Sequence, residues 1–331
     1  MNPLKLKYSL YIIVILLVFS GCKKEIPPAE TPDSISNYTL YNSINSALPS
    51  DKINKIFIES NTEIWVATDE GISSFIGNTW NVYDSASFGF SSNKINSIIK
   101  DNTGVLWAAS NNGLLKFDGS VWTEFTMLNS PLPVNKIRSL VVDQNNTLWI
   151  GTYSGGGLCS FDGTNWNIYT PANSGLPNNS VGALCIDSNN EIWLGTGGGL
   201  THFDGTNWTT FFTGNSDLPN NSVYSISIDA NNNKWIGTNG GVTKFDGVTW
   251  TTFNSSNSSL PFNLVRAVVA SSGTTKWIGT EGLGLASFDD VDWTIYNSDN
   301  SNIPSEYINC IAIDSDGKKW IGTENGIVVI P

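Results

Sequence analysis

The chain has 331 residues, 40% hydrophobic and only 14% charged, with a net charge of −12, thirteen Trp, four Cys and a single His. So much aromatic surface excludes a disordered chain, the acidic balance argues against a nucleic-acid partner, and one His removes most zinc and acid–base chemistry. An ordinary domain is about 25% charged, so this surface must be polar through neutral groups, chiefly its forty Asn.

Residues 1–21 read as an export signal. Lys5 and Lys7 precede an unbroken apolar run from Leu10 to Phe19, which is shorter than the roughly 20 residues a membrane span needs but suits a signal core. The run ends in Phe19-Ser20-Gly21-Cys22, which resembles a bacterial lipobox with Phe19 where Leu is usual. On this reading the Cys22 thiol accepts the diacylglyceryl group and becomes the mature N-terminus, and the acyl chains anchor the protein to a membrane. The alternatives are an uncleaved anchor or an ordinary secretory signal with an incidental Cys. Cleavage would remove two Lys and no acid, taking the net charge to −14. Residues 22–36 carry Pro27, Pro28 and Pro32 among charges and form a tether.

Residues 37–331 are a repeat. Trp65, Trp107, Trp149, Trp193, Trp235, Trp277 and Trp320 recur every 42 to 44 residues, and Trp80, Trp122, Trp166, Trp208, Trp250 and Trp293 follow the first six by 15 to 17. Within one unit, Ser180–Ile186, Glu191–Thr196, Leu200–Phe203 and Trp208–Phe212 read as strands, separated by turns at Asp187–Asn190, Gly197–Gly199 and Asp204-Gly205. Four short strands per period, with no helical periodicity, specify a β-propeller blade. After Trp320 only three strands remain, ending at Gly326–Ile330. The missing strand is Tyr38–Tyr41, with Tyr38 in place of the seventh second-series Trp. The expected fold is therefore all-β, a seven-bladed propeller whose ring closes when this N-terminal strand pairs with the three C-terminal ones. Six blades and a stray hairpin are the rival. The tryptophans are expected between blades, where each buries about 150–250 Å², or about 4–6 kcal/mol gross. The turns at Asp143, Asp187, Asp229 and Asp314 lack the spaced carboxylates of a calcium loop, and no metal or other cofactor is expected.

Across blades the consensus is Leu-Pro, an apolar strand ending in Asp, Trp-Ile-Gly-Thr, Gly-Leu, Phe-Asp-Gly and Trp. Leu176-Pro177, Asp229, Trp235-Ile236-Gly237-Thr238, Gly241-Val242, Phe245-Asp246-Gly247 and Trp250 illustrate it. It resembles the two-component regulator propeller repeat of extracytoplasmic sensor regions of bacterial hybrid histidine kinases. The resemblance implies ligand sensing, with carbohydrate among the ligands. No kinase or second membrane segment follows before Pro331, so signalling enzymology is not expected.

The second residue of each inner strand varies between constant neighbours: Asn54, Asn96, Arg138, Gly182, Tyr224, Arg266 and Asn309. Both arginines of the chain occupy this slot, and Lys52, Lys94 and Lys136 begin the first three inner strands. A basic mouth on an acidic protein would focus an anionic glycan. Equally, these residues could solvate the channel and pair with Glu281, Glu306 or Glu324. His202, in the third strand, is expected at the outer surface, and Cys159, Cys185 and Cys310 as buried small hydrophobes. With no catalytic residue apparent, a ligand-binding lipoprotein of the cell envelope is the first expectation. A scaffold for another envelope protein is second, and a propeller lyase third.

Overall fold

The computed structural model describes residues 38–270 and 273–331, so the signal, the tether and Cys22 lie outside the described residues. These residues form seven four-stranded antiparallel sheets, each ordered from an inner to an outer strand. Six blades are continuous, over 53–83, 95–125, 137–169, 181–211, 223–253 and 265–296. In the seventh, Ile308–Ile313, Lys319–Thr323 and Gly326–Ile330 are completed by Thr39–Tyr41, with Thr39 opposite Val329 and Tyr41 opposite Ile327. Tyr38 packs in the same cluster as Ile330. Six blades with a stray hairpin are thereby ruled out.

The expected strand limits hold within a residue; in the unit read from sequence they are Val181–Ile186, Ile192–Thr196, Gly199–Phe203 and Trp208–Phe211. One element has no counterpart in the sequence reading. Ser85–Phe88 forms a single helical turn between the first two blades, where the Asp84 side chain accepts from the Ser87 N–H.

Each second-strand Trp is buried, 0–7% exposed. In the first five blades its ring meets a Phe of the following blade edge-on, as in Trp107–Phe161 at 5.9 Å and Trp193–Phe245 at 6.1 Å. The indole N–H is held by the turn before it. Asp143 Oδ2 accepts from Trp149 Nε1 at 3.0 Å while its Oδ1 accepts from the N–H groups of Asn145 and Thr147. Asp101, Asp187, Asp229 and Asp314 do the same for Trp107, Trp193, Trp235 and Trp320, and Glu63 serves Trp65. The turns at Asp143, Asp187, Asp229 and Asp314 are therefore indole anchors. Burial pushes the carboxyls of Asp101, Asp187 and Asp229 up, but these hydrogen bonds outweigh it and hold them below 3.8. The outer-strand Trp are mostly half-buried and stack on the third-strand Phe of their own blade, 4.2 Å apart in Phe203–Trp208 and Phe245–Trp250.

Two glycines of the repeat are dictated by contact. The one in Trp-Ile-Gly-Thr lets the next blade approach, since a Cβ on Gly195 would lie 2.7 Å from Val223. The one opening the third strand has positive φ, and a Cβ on Gly199 would strike the Phe211 carbonyl at 2.2 Å. The abundant Asn crosslinks loops. Asn173 Nδ2 donates to the Ile168 carbonyl while its Oδ1 accepts from the Thr170 N–H, and Asn61 accepts from Ser315 N across the ring closure.

In blades five to seven, Lys234, Lys276 and Lys319 replace the Ile or Leu that precedes the second-strand Trp elsewhere. Their ammonium groups lie over Trp193, Trp235 and Trp277 of the preceding blade, at 4.7, 4.9 and 5.4 Å. Lys276 is only 3% exposed and reaches Asp290 at 2.5 Å. Burying the stem and bringing the charge to a ring and a carboxylate makes a Lys acceptable inside a blade interface.

Asp143→Ala should lower unfolding free energy by about 2–3 kcal/mol, because it strands buried donors; urea unfolding followed by Trp fluorescence measures this. The Asp-Gly hairpin carboxyls of Asp118, Asp204 and Asp246, which accept backbone N–H groups, are lowered to about 2. Groups depressed on folding stabilise above their unfolded value of 3.8 and lose that contribution as pH falls toward 2. Stability should thus be flat near neutrality and fall steadily through that window, as melting at stepped pH would show.

Candidate functional site

All seven inner strands slip register between their first and third residues, for example Ile137/Ser139 and Val265/Ala267. The second residue is a bulge, released from the ladder and re-aimed. That residue is the variable slot, and Asn54, Asn96, Arg138, Gly182, Tyr224, Arg266 and Asn309 all line one axial cavity of about 350 Å³. The first residue, always Ile or Val, stays buried and fixes the strand while the bulged one is free to vary.

A second variable ring partners the first. It is the residue after the Thr or Ser that ends the second strand, fifteen positions on from the bulge: Asp69, Asn111, Tyr153, Gly197, Asn239, Glu281 and Glu324. Asn54 Nδ2 donates to Asp69 at 2.8 Å and to the Ile95 carbonyl at 2.7 Å; Asn96 Nδ2 donates to Asn111 at 3.0 Å and to the Ile137 carbonyl at 2.7 Å. Asn309 donates to Glu324 at 2.9 Å, and Arg266 reaches Glu281 Oε2 at 2.5 Å through both Nε and Nη2. The sequence reading named Glu281 and Glu324 singly but missed the ring, whose signal was a variable residue after each Trp-Ile-Gly-Thr. Glu306 does not pair with the mouth; it accepts from Ser298.

The lysines divide. Lys52 pairs with Glu324 and Lys94 with Asp69, both at 2.8 Å, each bridging to the preceding blade. Hydrogen bonds from Lys94 and Asn54 overcome burial to keep the Asp69 carboxyl below its ordinary value. Lys136 is exposed, its ammonium 4.8 Å from the centre of the Tyr153 ring. Arg266 lies over Tyr224 at 4.6 Å as well as on Glu281. Among the described residues Arg138 has no carboxylate within 4.0 Å. Its side chain reaches water in the channel but is walled by protein. This enclosure first, and the like charge of Arg266 second, hold its guanidinium below the usual arginine range, yet an arginine stays cationic at neutral pH.

Beside the axial cavity lies a larger one of about 720 Å³. Arg138, Lys136, Tyr153, Gly182, Gly197 and Tyr224 help line it, and no Asp or Glu does. The ligand-site candidates therefore converge on one face, where carboxylates pair with Lys52, Lys94 and Arg266 and leave Arg138 and Lys136 at the larger cavity, and Lys55 in the axial one, without a carboxylate partner among the described residues.

His202 lies away from both cavities, and it is not simple surface as expected. It stacks on Trp193 at 4.4 Å, and its Nε2 lies within hydrogen-bond distance of Glu191 Oε2, at 2.8 Å. Asp187, Glu191 and His202 bring three possible ligand atoms within 4.8 Å of one another. Asp187 is already committed to Trp193 and two backbone N–H groups, with the Lys234 ammonium 3.5 Å away. A lysine thus supplies the local positive charge, a poor setting for a metal ion. Burial pushes the thiols of Cys159 and Cys310 up to about 12 and that of Cys185 to about 11, far from a reactive thiolate. Cys185 is half-buried, the other two buried.

Residues 89–112, 131–154, 175–198, 217–240 and 302–325 match the two component regulator propeller family. Among curated proteins none matches the chain. The solved structures it resembles include the extracellular domain of a protein assigned as a hybrid two component system from B. thetaiotaomicron, 22% identical with a TM-score of 0.76, covering 88% of this chain and 41% of that one. PorZ, a surface component of the type-IX secretion system of Porphyromonas gingivalis, is 16% identical with a TM-score of 0.70, covering 88% and 47%. Virginiamycin B lyase from Staphylococcus aureus is 16% identical with a TM-score of 0.71, covering 88% and 98%. At such identities these similarities establish the fold, and the chain spans less than half the length of the first two. The five matched segments run from the Leu-Pro region to just past the second-strand Trp, and the other two blades carry that Trp at the same spacing. Five of the seven blades thus carry the two component regulator propeller repeat.

Proposed function

We propose that this propeller is a non-catalytic, extracytoplasmic sensor or ligand-binding domain that takes an anionic oligosaccharide, of uronic-acid or sulfated type, at its mouth. The observation that carries this reading is Arg138. It is a cation without a carboxylate partner, on a cavity wall free of acids, in a protein of net charge −12. Structural arginines are ordinarily paired, as Arg266 is with Glu281, and an unpaired guanidinium offers a fork for carboxylate or sulfate. The lyase reading has less support, since the single His sits outside both cavities.

The strand direction gives the anchor a meaning. Tyr41 pairs with Ile327 beside Gly326, whose N–H donates to Asp51 at the mouth, whereas Thr39 pairs with Val329 toward the other end. The described chain therefore begins, at Tyr38, on the face opposite the mouth; on the lipoprotein reading the mouth is then the face remote from the anchored end.

A second reading, a scaffold for another envelope protein, is favoured by apolar loop tips on the mouth face. Ile44 is 91% exposed and Leu128 97%, with Met127 beside Leu128 and Phe88 on the loop after the first blade also exposed. Tips of this kind suit a protein contact.

Thermal shift of the purified protein against oligogalacturonate, a sulfated disaccharide and a neutral cello-oligosaccharide tests the first reading. Acidic glycans should raise the melting temperature and the neutral one should not. Arg138→Gln should weaken acidic-glycan binding by roughly tenfold or more; equal binding by this variant would remove Arg138 from the site. Separately, palmitate should label the wild type in a bacterial host and fail to label Cys22→Ser. Absence of label in the wild type would sink the lipoprotein assignment.

A further inference from the structure

The mouth departs from seven-fold regularity at one place. In blade four both variable rings carry glycine, Gly182 at the bulge and Gly197 at its partner position. Neither glycine is demanded by the backbone. Neither has a positive φ, and a Cβ would meet nothing closer than 3.8 Å at either position. Gly195 and Gly199 in the same blade contrast with them, because there a Cβ would clash at 2.7 and 2.2 Å. Two glycines of this blade thus permit packing, and two only withhold side chains.

The space they leave is a notch opening into the larger cavity of about 720 Å³, within the roughly 300–1,000 Å³ usual for small-ligand sites. On one side of the notch stands Arg138 of blade three. On the other stands Tyr224 of blade five. Arg266 of blade six covers one face of that ring at 4.6 Å; among the described residues no other cation or aromatic ring lies against it, and Gly182, which lines the same cavity, has no side chain to offer. One unpaired guanidinium, one open aromatic face and an empty notch make an off-axis site for a single charged ring. A sulfate-dense chain wrapped about the axis would need a ring of free cations, yet Lys52, Lys94 and Arg266 are already paired and Lys55 and Arg138 alone of the axial lining's cations are not.

We infer that the ligand seats in the blade-four notch, its carboxylate forked on Arg138 and one uronic-acid-type sugar ring filling the volume left by Gly182 and Gly197 against Tyr224. This rests on the anionic-glycan reading and narrows it to one carboxylated residue per site. The guanidinium supplies two parallel N–H donors to the carboxylate. The sugar's C–H face covers the tyrosine ring, burying apolar surface on both.

The test is isothermal titration of the full chain with digalacturonic acid, using wild type, Gly182→Ala, Gly182→Leu and Gly197→Leu. The leucines occupy the notch and should weaken binding by roughly tenfold or more, with Gly182→Ala between them and wild type. Because a Cβ has room, melting temperatures should stay close to that of wild type; should Gly182→Leu fail to fold, Gly197→Leu, on an exposed turn, carries the same test. Wild type that binds no acidic glycan overturns the anionic-glycan reading and the notch with it. Wild type that binds, with both leucine variants unchanged, overturns the notch alone. Tighter binding of a sulfated disaccharide than of digalacturonic acid overturns the single-carboxylate class.

Discussion

The contact on which this molecule depends is that of a second-strand indole with two partners at once. In five blades its N–H is tied to a carboxylate six residues earlier, and its ring is pressed into the neighbouring blade, as in Asp143–Trp149–Phe203. A four-stranded sheet cannot hide both faces alone, so this shared contact makes neighbouring blades interdependent. The carboxylate matters because a buried indole without an acceptor would offset much of what its burial contributes. It also ties the turn to the ring, so the loop at one end of a blade is positioned by the core.

That frame explains the mouth. Once the blades are fastened by indoles and close-approach glycines such as Gly195, the inner strands converge on the axis. A bulge at their second residue turns one side chain per blade inward. The outcome is a ring of positions whose identity costs the fold little. Residues there pair across to a second ring, and the pairs differ in chemistry: amide to carboxylate at Asn54 and Asp69, guanidinium to carboxylate at Arg266 and Glu281, nothing at Gly182 and Gly197.

Much of this was legible from residues alone. The Trp spacing specified blade number, and the surplus strand at Tyr38–Tyr41 specified closure, because a repeat must place each unit's hydrophobic face against the next. The variable slot was visible as variation between constant Ile or Val neighbours. What was not legible was pairing. Lys52 and Lys94 looked like contributors to a basic mouth, yet each reaches a carboxylate of the preceding blade. His202 looked superficial, yet its partner Trp193 lies directly across the strand pair. The burial of Lys234 and Lys276 follows only from the neighbouring-blade indole that each one covers.

The amino-acid sequence by itself determined the architecture, because local turn chemistry and a seven-fold aromatic period leave one way to bury the tryptophans. It also determined which positions were free to vary. Only the tertiary structure decided which of those charges are neutralised and which glycines leave open space. Both depend on distances between blades some forty residues apart in sequence, and ion pairing and steric room are set by such distances. Arg138 and Gly182 acquire their meaning together, as neighbours on the ring.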